Sequence, residues 1–206
     1  MKKLFSLLTV FGLMVLLFAV GTNSVHAAAL TPPITDTPSS LVAGATANHT
    51  VVFTTTTGAL TPIGAVDITF QAGFDITGAT LGAYTPVDAE ATPTLSVLVP
   101  GGQVARVTFG TPSTGNLAIT YTIVLNGIVN TAALGNATVD VTTRSAALAI
   151  IDGPTTSANF AITAAALTGV VDTPSSFVAG ATATHSVVFT TAVTNTAIKS
   201  VDILFP

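Results

Sequence analysis

A twenty-residue segment occurs twice in this chain, 136 positions apart. Residues 36–55 read DTPSSLVAGATANHTVVFTT and residues 172–191 read DTPSSFVAGATATHSVVFTT, so only Leu41/Phe177, Asn48/Thr184 and Thr50/Ser186 differ. The match resumes after a one-residue shift, with AVDITF at 65–70 against SVDILF at 200–205. Seventeen identities in twenty positions mark a duplication, and a period of about 135 residues is the length of a domain rather than of a solenoid turn. The chain therefore reads as a tandem array, with a complete repeat over 31–166 and the first part of a second repeat over 167–206. The second copy runs only as far as Pro206, which aligns with Gln71, and is read as truncated. Forty residues would leave strand edges unpaired and half a core uncovered.

Residues 1–27 stand apart from this pattern. Lys2 and Lys3 precede an almost uncharged apolar run from Leu4 to Val20, and Val25-His26-Ala27 supplies a cleavage point. That order is a secretory signal peptide, and it predicts a secreted or cell-surface, extracytoplasmic protein that meets a membrane only through the leader if it is left uncleaved. Of the five Lys and Arg, Lys2 and Lys3 leave with it, so Lys199, Arg106 and Arg144 face nine acids and the net charge moves from -4 to -6 (3 minus 9). An acidic chain with no basic block is not a nucleic-acid binder. The absence of cysteine excludes disulfide staples and thiolate metal sites and leaves stability to core burial.

Between residues 31 and 166 the sequence is threonine-rich and alternates apolar with polar residues over 47–55, 65–70, 94–99, 104–109, 117–125 and 137–142. A period of two predicts half-buried antiparallel strands. In the clearest, Leu117, Ile119, Tyr121, Ile123 and Leu125 line the core, shared with Phe53, Phe70 and Phe109, while threonines cover the other face. Turns are expected at Thr57-Gly58, Gln71-Ala72-Gly73, Pro100-Gly101-Gly102, Ser113-Thr114-Gly115, Asn126-Gly127 and Asp152-Gly153. Only 146–150 and 161–167 lack enough β-branched residues to leave helix open. The fold class is all-β, an antiparallel β-sandwich.

The phrase Val42-Ala43-Gly44-Ala45-Thr46-Ala47 leading into a strand, then Val66-Asp67-Ile68-Thr69-Phe70-Gln71-Ala72-Gly73-Phe74, resembles immunoglobulin-like sandwich repeats of bacterial and archaeal surface proteins. Ile119 to Asn130 and Val139 to Thr143 are similar to the closing strands of such repeats. The resemblance lies in pattern and composition and carries no diagnostic motif. The first copy has Gln71 where those repeats often have proline, as the second has Pro206. The resemblance implies an Ig-like module of an S-layer, adhesin or other envelope array, whose partners are neighbouring repeats, identical subunits or envelope glycans.

Site chemistry is sparse. His49 and His185 hold equivalent strand positions, but one imidazole per module is not a metal site, and the structural role is the favoured one. Asp36, Asp67, Asp172 and Asp202 also recur and are the only metal candidates. Calcium at module junctions would need six to eight oxygens from clustered carboxylates, which their spacing does not supply. Asp36 reads instead as a turn residue bonding the following backbone, and Asp67 as an outward strand residue. The expectation is no cofactor and no metal. With a single glutamate, Glu90, and no nucleophile motif, the chain does not read as an enzyme. The absence of lysine from 28–198 excludes a lysine–asparagine staple there, and Asn48-His49-Thr50 and Asn136-Ala137-Thr138 fit the N-glycosylation pattern. The function expected is a secreted, non-enzymatic structural module that spaces or assembles on the envelope. The alternatives are an adhesin-type module for glycan or protein, and a subunit that donates strands to a fibre.

Overall fold

The structure, a computed structural model, describes residues 28–56, 62–85, 93–98, 103–110, 118–191 and 200–205. The leader, the turn candidates at 57–58, 100–102 and 113–115, and Leu117 lie outside the described residues. In chain order the strands are β1 (Thr31–Pro38), β2 (Thr46–Thr54), β3 (Ala65–Phe70), β4 (Thr80–Thr85), β5 (Thr94–Leu98), β6 (Val104–Thr108), β7 (Thr120–Val129), β8 (Gly135–Ala137), β9 (Val139–Arg144), β10 (Ile150–Thr156), β11 (Phe160–Ile162), β12 (Thr168–Pro174) and β13 (His185–Thr190). Every pairing between these strands is antiparallel, and no helix occurs among the described residues.

Two sheets share one core. The first runs β1-β2-β7-β4 and the second β10-β9-β3-β6-β5, with β11-β8 as a short pair beside them. Val51, Phe53, Tyr121, Ile123 and Leu125 from the first sheet meet Val66, Ile68, Phe70, Ala105, Val107, Val139 and Val141 from the second. The alternation read in β2, β3, β6 and β7 is the cause, since residues two apart point to one face and that face is apolar in each. Burying each such side chain contributes about 1.5–3 kcal/mol. Ile119 and Phe109 pack at the rim of this core, partly buried.

Several sequence expectations need correction. Asn126-Gly127 is no turn but the interior of β7, where Gly127 takes φ +78 opposite the register shift between Ala47 and His49. A glycine in the left-handed region lets a long strand bulge without ending, so its turn chemistry is spent on curvature. Asp152-Gly153 likewise sits within β10, with Gly153 at φ +86 beside the register shift against β9. The strand expected over 137–142 is divided into β8 and β9 at Thr138. The two stretches left open as helix instead hold a turn at Ala146-Ala147 leading to β10, and β11. No helix among the described residues is long and apolar enough to cross a membrane.

The duplicated segment takes one local structure twice. Pro38↔His49, Thr37↔Thr50 and Asp36↔Val51 face each other across β1 and β2, as Pro174↔His185, Thr173↔Ser186 and Asp172↔Val187 do across β12 and β13. The connection is the same as well. The Ser39 amide donates to Asn48 O at 2.8 Å and the Asn48 amide to Ser39 Oγ at 2.8 Å, matched by Ser175 with Thr184 at 2.8 Å in both directions.

Candidate functional site

Two polar clusters concentrate the ionisable chemistry of the first unit. The deeper one is built on β1 and β2. Asp36 and His49 point into the core from neighbouring strands, and His49 Nδ1 lies 2.7 Å from Asp36 Oδ2 with both side chains at 0% exposure. On the far side of the ring, Nε2 lies 3.3 Å from Asn130 Oδ1, just past the end of β7. Asn130 is itself pinned, since its Nδ2 donates to Ser40 O at 2.8 Å and Val42 O at 3.0 Å. Those two carbonyls fix the amide so that its oxygen faces the imidazole, which makes Nε2 the protonated nitrogen. Phe70, Phe74 and Phe160 surround the ring edge to face at 5.1, 5.8 and 5.9 Å.

With Nε2–H committed to Asn130, the short contact between Nδ1 and Oδ2 needs one proton between them, whichever atom carries it. Asp36 Oδ1 is buried without a hydrogen-bond partner. Burial therefore pushes the Asp36 carboxyl above its ordinary value of 3.8, while the hydrogen bond and charge of His49, and least of all the Thr37 amide, pull it the other way. Asp36 is thus not principally a turn residue; its alternation in β1 turns it inward, where His49 is its partner.

The second cluster lies on the outer face of the other sheet. Asp67 on β3 stands between β6 and β9, opposite Arg106 and Thr142. Arg106 donates from Nε at 2.6 Å and Nη2 at 2.8 Å, and Arg144 donates from Nε at 2.5 Å. Burial pushes this carboxyl up, but the hydrogen bonds of Arg106 and then Arg144, with their charges, outweigh it together and hold Asp67 below 3.8. Asp67 does point outward as expected, yet the two guanidinium groups cover it. A third carboxylate, Asp152 at the β10 edge, is buried and accepts from Thr56 Oγ1 at 3.1 Å and Thr143 Oγ1 at 3.0 Å.

The chemistry open to these clusters is narrow. A histidine held by an aspartate invites comparison with the base of a hydrolase, but that base needs a nucleophile on its second nitrogen and a path for substrate. Here Asn130 takes the second nitrogen and three phenylalanines close the ring in. Of the four aspartates singled out for metal, Asp36 is paired with His49, Asp67 with two arginines and Asp172 with His185 at 2.7 Å, while Asp202 is exposed. No group of three or more His, Cys, Asp or Glu that could hold a metal ion occurs among the described residues. Asn48 and Asn136, the two glycosylation candidates, are both exposed on strands.

The sequence shows the repetition of Asp36 and His49 but not their contact, and nothing in it points to Asn130, which lies 81 residues beyond His49. The one available signal is the phase of β1: Ile34 and Asp36 share a face, so a buried aspartate needs a partner from the adjoining strand.

No family model matches the chain, and no curated protein matches it. Among solved structures it is similar to that titled "Crystal structure of BslA - A bacterial hydrophobin", with a TM-score of 0.42 and 19% sequence identity, covering 68% of this chain and 97% of that one.

Proposed function

We propose that this chain is a secreted, non-enzymatic structural module of a cell-surface or extracellular repeat protein, which spaces or assembles units on the envelope. The observation that carries this reading is the inward use of its ionisable groups. His49 and Asp36 are sealed in the core, and Arg106 and Arg144 converge on one carboxylate, so these groups tie strands to one another and offer nothing to a substrate. The four- and five-stranded sheets around one core support the Ig-like sandwich reading of 31–166. The leader supports export, and the low charge with threonine-covered strands suits a module packed among others of its kind.

Fractionation of the native cells, with intact mass of the product, tests this. The expected result is a product lacking residues 1–27 in the envelope or medium. Retention in the cytoplasm with the leader intact would overturn it.

A further inference from the structure

We infer that Asp152 is the binding site for the α-ammonium group that leader removal creates on Ala28, so that processing completes the fold; the inference rests on the reading of residues 1–27 as a cleaved leader. The segment just after the cleavage point is part of the sandwich. Ala28 bridges Asp152 in parallel, and the Gly153 amide donates to Ala28 O at 2.7 Å. Thr56 Oγ1 lies 2.8 Å from Ala29 O, and the Leu30 amide donates to Thr155 Oγ1 at 3.1 Å. Leu30 itself is buried in the core. Residues 28–30 thus cross from β10, an edge of the five-stranded sheet, to β1, an edge of the four-stranded one.

Asp152 stands at that crossing, 1% exposed, in surroundings short of both charge and hydrogen. Asp36 has His49 and Asp67 has two arginines, whereas no cationic side chain pairs with Asp152 among the described residues. Its side-chain donors are two hydroxyls. Thr143 Oγ1 donates to Oδ2 at 3.0 Å and accepts from the Asp152 amide at 3.0 Å, so that oxygen is served. Thr56 Oγ1 is placed between Oδ1 at 3.1 Å and Ala29 O at 2.8 Å. Both are acceptors and a hydroxyl has one hydrogen to give, so one of them is always short of a donor. The deficit falls on the side of the carboxylate nearest the start of the folded segment.

A buried carboxylate without a countercharge is costly. While residue 27 is attached, Ala28 offers one neutral N–H, its direction fixed by the peptide plane. Hydrolysis breaks the bond between Ala27 C and Ala28 N. The hydroxyl of water goes to Ala27 C and its hydrogen to Ala28 N, and the proton released by the new carboxyl makes the amine an ammonium. Ala28 then carries a positive charge and three N–H groups that can turn. One of them supplies Oδ1, and Thr56 keeps its hydrogen on Ala29 O. Hydrogen bonds between ionised partners are roughly twice as strong as neutral ones. The pair ties the edge of one sheet to the strand that enters the other.

Without residues 1–27 the chain has two primary amines, the Ala28 α-amine and Lys199, so each can be followed separately. Residues 28–206 are treated with limiting acetic anhydride at neutral pH, and acetylation at Ala28 is read by mass spectrometry against Lys199 as reference. In the folded parent Ala28 should react on the order of tenfold more slowly than in Asp152→Asn or in urea. Equal rates in the folded parent and in urea would overturn the pairing. A second measurement needs no change at Asp152. Three alanines added before Ala28 move the ammonium away, and the unfolding constant in urea should rise on the order of tenfold. An unchanged constant would overturn the pairing as well. A product found in the envelope or medium with equal acetylation rates defeats the pairing alone. Slow acetylation of 28–206 when the native chain stays in the cytoplasm defeats the module reading and leaves the Asp152 site standing.

Discussion

His49 is worth more to this molecule for what it satisfies than for what it could catalyse. Replacing it by leucine keeps the volume but leaves the buried Asp36 carboxyl without its partner, and removing one partner of a buried pair costs about 3–5 kcal/mol. His49→Leu should therefore lower the urea midpoint steeply, and an unchanged midpoint would mean that the pair contributes nothing. The two clusters also set opposite pH dependences. Asp36 is held above 3.8 by burial, so the folded chain keeps a proton that the unfolded chain releases; that contribution is full below pH 3.8 and is lost as pH rises through the raised value. Asp67 is held below 3.8 because its arginines outweigh burial, so its contribution is present above pH 3.8 and is lost as pH falls through the lowered value. Urea midpoints from acid to neutral pH should show Asp36→Asn flattening the decline above pH 3.8 and Asp67→Asn removing the loss below it. Each slope is at most one proton, about 1.4 kcal/mol per pH unit. Two variants with the profile of the parent would refute both assignments.

At the scale of the element, which strands can be read from the sequence follows their place in the sheets. β2, β3, β6, β7 and β9 all have neighbours on both sides and announce themselves by alternation. β1, β4 and β10 do not, and all three are edges, whereas β5, the fourth edge, keeps the alternation read over 94–99. An edge strand leaves half its ladder unused, so it tolerates Pro32, Pro33 and Pro38 in β1, Gly82 in β4 and Gly153-Pro154 in β10, residues that argue against a strand when only sequence is read. The candidate site was hidden by the same fact, since Asp36 sits on a proline-rich edge strand and Asn130 follows the bulge at Gly127. That bulge gives a test. An alanine at 127 would need the left-handed conformation, and its Cβ would stand 3.1 Å from Gly78 O. Gly127→Ala should cost about 1–2 kcal/mol in chemical denaturation and disturb the β7 amides that pair with β4. A neutral substitution would show that the kink is not required for Asn130 to reach His49.

Over the whole molecule, one sequence is held in two environments. Val51-Val52-Phe53-Thr54-Thr55 and Val187-Val188-Phe189-Thr190-Thr191 are identical, so their amides share the same intrinsic exchange chemistry apart from the residue before each run. In the first copy β2 is central, bonded to β1 and β7 over a closed core, and Val51 and Phe53 are fully buried. In the second copy β13 pairs with β12 in a two-stranded sheet, and Val187 and Phe189, the counterparts of Val51 and Phe53, are only half-buried. A two-stranded pair in water is marginal, whereas a central strand opens only with its core. Hydrogen–deuterium exchange on dilute chain should thus find 51–55 protected by several orders of magnitude relative to 187–191. Equal protection of the two runs would mean that the second hairpin is covered as β2 is, and that the two environments are the same.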